Sequence, residues 1–313
     1  QGSETRADLQ PGLPRCHYVM SQLLTIARSP YFIGAAAIFF ASCMNAMIKG
    51  LSVYESVVVI TAWRYTLGAI LVILLWLIFR PPLPGWAAVP FHVFRGFFQI
   101  SAASLFFWSV TQIPLATAAA LGLTGTLMIG PLAWLLMREP LKRNVISGTL
   151  VGFAGALFIV NTETQLLSGD VDGPVLGYLA PILASLCHAL SVVLLRFRSQ
   201  SEDPVVMAFF ANTLPALYVL PVFFLMDAQP TFELFGGYIL SAFFGVSFWS
   251  LTTIAYARAP AAKLAPMTYT QLIWSAIIGL IFFGEFPGVS MWFGAAVIVA
   301  ACIFVMRANQ EAN

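Results

Sequence analysis

The stretch SLFFWSVTQIPLATAAALGLTGTLMIGPLAWLLMREPLKRNVISGTLVGFAGALFIV, running from Ser104 to Val160, returns 146 positions later as Ser250 to Met306 without a gap. Pro114 falls on Pro260, Ala116 on Ala262, Thr124 on Thr270, Glu139 on Glu285, Gly148 on Gly294 and Phe158 on Phe304. Self-similarity over an apolar stretch of this length marks a duplicated chain whose halves solve the same packing problem in lipid.

Working outward from the repeat, the rest of the chain is equally apolar. Of 313 residues 60% are hydrophobic and 9% charged, with a mean hydropathy of +0.88. Soluble domains carry roughly 25% charged residues, so there are too few here to coat a water-facing surface. The net charge of +2 is small and its basic residues are scattered, which gives no footprint for nucleic acid. Cys16, Cys43, Cys187 and Cys302 match no zinc or redox spacing and read as small apolar side chains.

A helix needs roughly 20 apolar residues to cross the hydrocarbon core. Ten stretches meet that need: 31–49, 56–79, 92–110, 115–137, 144–161, 175–195, 204–226, 236–256, 261–283 and 288–306. Turn chemistry separates them, as at Arg80-Pro81-Pro82, Arg138-Glu139-Pro140, Ser168-Gly169-Asp170, Asp203-Pro204 and Gly284-Glu285-Phe286-Pro287. The expected fold is an all-α integral membrane protein, with ten transmembrane helices arranged as two inverted five-helix repeats. A cytoplasmic tail covers 1–30, the first repeat 31–161, the second 175–306, and a short cytoplasmic tail 307–313. Residues 1–30 lack the long apolar core of a signal peptide. Met20 can serve as an internal start, which would make residues 1–19 a tag or extension.

Orientation follows from charge. With the N-terminus inside, thirteen Lys and Arg face the cytoplasm and Lys49 alone faces outward, while Arg64 lies within a span. This is the positive-inside pattern, and it places the chain in an inner membrane with both termini cytoplasmic. Five spans per half is an odd number, so the halves must enter the membrane in opposite directions. The Arg-Glu-Pro-Leu-Lys-Arg loop after span four becomes Gly-Glu-Phe-Pro-Gly-Val after span nine, losing its bases as it changes side.

Several of these residues carry a resemblance. Ala62-Trp63-Arg64-Tyr65 in span two matches, as does Ile113-Pro114-Leu115-Ala116-Thr117-Ala118 leading into span four. So do Glu139 and Glu285, each followed nine residues on by a helix glycine. In these pieces, and over about 31–306, the chain resembles the drug/metabolite transporter superfamily in its EamA-type branch. His92 with Arg95-Gly96, and Tyr269-Thr270-Gln271-Leu272-Ile273-Trp274, are similar to a subgroup that includes riboflavin and S-adenosylmethionine carriers. The resemblance implies a basket-like bundle with a central cavity lined by spans one, three, four, six, eight and nine.

Polar residues inside the spans are the candidates for function. A charge at mid-bilayer costs about 2.5–3.5 kcal/mol on insertion scales. Arg64 therefore either satisfies helix carbonyls or attracts an anionic substrate group. Ser42, Asn45 and Lys49 share one face of span one, and Ser185, His188 and Ser191 one face of span six. Asn45 and His188 occupy corresponding places. His188 either packs through a hydrogen bond or carries a coupled proton, since histidine titrates near neutrality. Gln271 and Trp274, three residues apart in span nine, can point inward together and hold a flat, polar-edged solute, or simply pack. Gln99 and Trp108 are the cavity candidates of span three. Glu139 and Glu285 read as caps of spans five and ten, favoured by the helix dipole. Pro114 and Pro260, at corresponding junctions, read as hinges.

These residues point to a secondary transporter of a small organic metabolite working by alternating access, on an amino acid, a riboflavin-like vitamin or a nucleoside-like compound. A membrane enzyme would need clustered carboxylates, His-Glu-x-x-His or Gly-x-Ser-x-Gly, and a channel a filter loop; the spans show none of these. No metal and no cofactor is expected. The expected partners are the small-molecule substrate, a coupled proton or other ion, and membrane lipid, with no nucleic acid, in a monomer or homodimer.

Overall fold

The computed structural model describes residues 29–79, 89–138, 143–164, 174–198, 204–226, 231–258 and 261–310. Eleven α-helices carry these residues: α1 (Pro30–Leu51), α2 (Val57–Phe79), α3 (Val89–Gln112), α4 (Leu115–Gly122), α5 (Thr124–Met137), α6 (Arg143–Thr164), α7 (Val175–Arg198), α8 (Pro204–Leu225), α9 (Phe235–Arg258), α10 (Ala261–Phe283) and α11 (Val289–Gln310). A 3-10 turn, Phe232–Leu234, precedes α9. Helices suit lipid because each satisfies its own backbone where no water can.

Among the described residues seven segments are long and apolar enough to cross a membrane, counting α4 and α5 together as Leu115–Leu136. Three others, Phe209–Leu225, Met267–Phe283 and Val289–Val305, are apolar over shorter stretches. Leu150 is 66% exposed, Phe224 85% and Phe282 75%, on an outer surface that only hydrocarbon can accommodate.

The helices pack in the manner of an inverted repeat. α1 lies on α9 as α3 lies on α7. α1 also meets α10, and the α4–α5 unit meets α7 in the same relation. The pairs α2 with α8, and α6 with α11, join equivalent helices of the two halves. Close approach in the last pair depends on small residues. A Cβ at Gly148 would stand 2.5 Å from Val305 Cγ2, and one at Gly155 3.0 Å from Val297 Cγ1.

Two features differ from the sequence reading. The stretch 115–137 reads as one helix but is broken at Leu123. Three hydroxyls take carbonyls around the break: Thr124 Oγ1 donates to Leu121 at 2.7 Å, Thr126 Oγ1 to Leu123 at 2.8 Å, and Ser185 Oγ from α7 to Gly122 at 2.8 Å. Hydroxyls that compete for helix carbonyls loosen the ladder at that point. The run Gly122-Leu123-Thr124-Gly125-Thr126 was the available signal. Conversely, Pro131, Pro181 and Pro215 lie within continuous α5, α7 and α8, although a proline inside a helix removes a backbone bond and can bend or open it.

Candidate functional site

The polar stripe of α1 turns inward. Ser42 and Asn45 are buried, and Ser42 Oγ donates to the Ile38 carbonyl at 3.1 Å. Asn45 Oδ1 meets no hydrogen-bond partner among the described residues. One turn on, Lys49 pairs with Glu285 and donates to the Ile113 carbonyl at 2.8 Å.

That contact corrects the reading of Glu285. Instead of capping the helix that follows it, the carboxylate accepts the Leu115 N–H at 2.8 Å and so caps α4, far away in sequence. Leu115 is the first residue of α4, where amides lack intrahelical partners and the dipole favours an anion. Pro114, in extended conformation with φ −56° and ψ 142°, sits between the two held groups. Its expected counterparts Glu139 and Pro260 lie outside the described residues.

Arg64 is buried in the seam between α1, α2, α3 and α9. Its Nε donates to Met44 Sδ at 3.0 Å, and its guanidinium lies 4.1 Å from the Tyr65 ring centroid and 5.2 Å from that of Phe107. Gly245 gives it room: a Cβ there would be 2.5 Å from Nη2. Nη1 has no hydrogen-bond partner among the described residues. Aromatic faces and a thioether partly replace the water the cation has lost. Gln99 is also in a seam. Its Nε2 donates to the Ala211 carbonyl of α8 at 2.6 Å.

The remaining candidates face more open space. His188 is exposed on α7, and its ring lies 6.4 Å from that of Trp249 on α9, although these two helices do not pack closely. Trp274, half-buried on α10, meets Phe39 of α1 edge-on at 5.0 Å, and its Nε1 has no partner among the described residues. Gln271 is half-buried one turn before it. Trp108 is 37% exposed in a groove of about 460 Å³ along α3, with Ile100, Ser101, Ser104 and Leu105. The structure thus brings His188 to Trp249 and Trp274 to Phe39, and keeps Arg64 and Gln99 apart from them in packed seams. Phe39, Met44 and the partner of Lys49 were missed in the sequence, because nothing local marks a residue whose contact lies on another helix.

Such a bundle can hold a small solute between aromatic faces and polar edges. The family model described as the EamA-like transporter family matches the chain twice, over residues 28–161 and 175–307. A riboflavin transporter of Brucella anthropi is 26% identical over 258 residues, covering 80% of this chain and 88% of that protein. An S-adenosylmethionine uptake transporter of Rickettsia felis is 26% identical over 224 residues, covering 71% of this chain and 73% of its own length. A riboflavin transporter of Vibrio cholerae is 27% identical over 233 residues, covering 71% and 72%. A solved crystal structure superposes with a TM-score of 0.60 at 20% identity, over 90% of this chain and 99% of that one. At that identity the likeness speaks for the fold alone.

Proposed function

This chain belongs to the EamA-like transporter family, and on that premise we propose that it carries a flat, polar-edged metabolite by alternating access. It is a multi-pass membrane protein and a secondary transporter of a small molecule. Ten spans in two inverted halves, with both termini cytoplasmic in an inner membrane, is the arrangement we assign. The doubled family match and the symmetric packing support it. The positive-inside distribution supports the orientation.

The observation that carries the site is the exposed His188 with the Trp249 ring 6.4 Å away, on two helices that do not pack closely. We assign the solute to the region between these two helices, and give Gln271, Trp274 and Asn45 the role of its further contacts. An indole offers a stacking face, and an amide or imidazole offers an edge partner. To Arg64 and Gln99, in their packed seams, we assign a supporting role, and to Trp108 a further aromatic face on α3. Pro114 and Pro260 serve as the hinges. His188 is the candidate proton carrier.

Riboflavin and S-adenosylmethionine, the solutes of the named relatives, both contain a flat heteroaromatic ring system with polar edges, which is the chemistry this site suits. The test is reconstitution in liposomes with labelled riboflavin, S-adenosylmethionine, amino acids and nucleosides, with and without a pH gradient. Trans-stimulated uptake of one of the heteroaromatic compounds is expected. Exchange of none of them, by protein that reconstitutes as folded monodisperse material, sinks the proposal. Unchanged pH dependence after His188→Ala removes the proton role.

A further inference from the structure

We propose that Lys49 and Glu285 form a latch that holds one membrane face of the carrier closed and must part for that face to open. The inference rests on the alternating-access reading above. It starts from the ion pair itself, which joins the last turn of α1 in the first half to the segment after α10 in the second.

Each partner also grips the junction before α4. Lys49 Nζ donates to the Ile113 carbonyl and the Leu115 N–H donates to Glu285 Oε2, both at 2.8 Å. Pro114 lies between these two groups and brings no N–H of its own. The Phe283 ring lies 5.6 Å from Lys49 Nζ, on the last residue of α10. Four chain segments therefore converge on two charges: α1, the end of the α3–α4 junction, α4 and the end of α10.

The setting suits a contact that forms and breaks. The side chains are 15% and 14% exposed, sheltered enough for the attraction to outlast salt screening. They nevertheless stand at helix ends, not at mid-span, so parting returns both charges to water and leaves neither stranded in hydrocarbon. The lysine is also peculiar to one half. Glu285 has its repeat counterpart in Glu139, but the correspondence of Asn45 with His188 sets Val192 opposite Lys49. A strut demanded by the fold would be expected in both halves; a device acting on one face would not.

The test needs no substrate, so its failure is separable from failure of the carrier reading. Val53, four residues after Lys49, and Phe286, next to Glu285, are exposed, 77% and 83%. Nitroxides attached through V53C and F286C, with Cys16, Cys43, Cys187 and Cys302 replaced by Ala, report their separation by pulsed electron resonance in lipid nanodiscs. With the pair intact, a short distance dominates. K49M and E285Q are each expected to add a second, longer population. If both variants stay folded and keep the single short distance, the latch is overturned. Should neither fold, E285D keeps the charge but shortens the arm, and it must show the longer population in part; an unaltered distribution there overturns the proposal equally.

Discussion

Ser185 on α7 donates its hydroxyl to the carbonyl of Gly122 at 2.8 Å, so a residue of the second half holds the last residue of α4 in the first. Gly125 makes the approach possible, since a Cβ there would already press on Ser185 at 3.3 Å. The break in the α4–α5 unit is thus held from outside as well as by its own threonines. Ser185→Ala should cost about 1 kcal/mol, the usual net worth of such a bond. A fall in the thermal midpoint of purified protein in detergent checks it, and an unchanged midpoint would mean the bond contributes nothing there.

Gly152 should tolerate no side chain. A Cβ would collide with Leu127 and stand 3.2 Å from Ala301, driving α6 away from both α5 and α11. Gly152→Val is expected to destabilise by about 1–3 kcal/mol through overpacking. Gly236→Ala is the control, because nothing lies within 4 Å of its Cβ position. Comparing the two by thermal aggregation separates packing from a general dislike of substituted glycines.

Arg64 and Gly245 form a size-matched pair across α2 and α9, with a Cβ at Gly245 only 2.5 Å from Nη2. Gly245→Ala should destabilise by about 1–3 kcal/mol. Arg64→Met removes a desolvated cation and should prove neutral or stabilising. The double variant should then recover most of the loss, and a double-mutant cycle on thermal midpoints measures the recovery. Additive losses would mean that the glycine is required for something other than the guanidinium.

How much of this was legible beforehand depends on where each signal resides. The repeat is a property of the string, so Pro114 over Pro260 and Glu139 over Glu285 can be read without coordinates. Apolar length marks the spans for the same reason. Periodicity also identified the buried stripe of Ser42 and Asn45, because polar residues on one helix face must leave lipid. It could not say which neighbour that stripe meets. Glu285 seemed to cap the next helix since sequence shows only what lies nearby, whereas its partners Lys49 and Leu115 come from the other half of the chain. Gln99 illustrates the same limit: its spacing showed a polar residue in a span, and only packing shows its amide committed to the Ala211 carbonyl.

The division between seam and open space yields the sharpest comparison. Gln99 bonds to α8 within the packed seam, so Gln99→Leu should lower the thermal midpoint, at about 1 kcal/mol, and leave the half-saturating substrate concentration near its original value. Trp274 behaves oppositely if it contacts the solute. Its indole N–H is uncommitted among the described residues and its ring meets Phe39 edge-on, so a stacked substrate would gain directly from it. Aromatic contacts of this kind are worth about 0.5–1.5 kcal/mol. Trp274→Ala should therefore raise the half-saturating concentration of whichever compound is exchanged by roughly two- to tenfold, since about 1.4 kcal/mol corresponds to a factor of ten. Uptake curves for both variants in the same liposomes decide the matter. If Trp274→Ala shifts only stability and Gln99→Leu shifts apparent affinity, the solute lies against α3 and α8, and the space beside His188 is not its binding place.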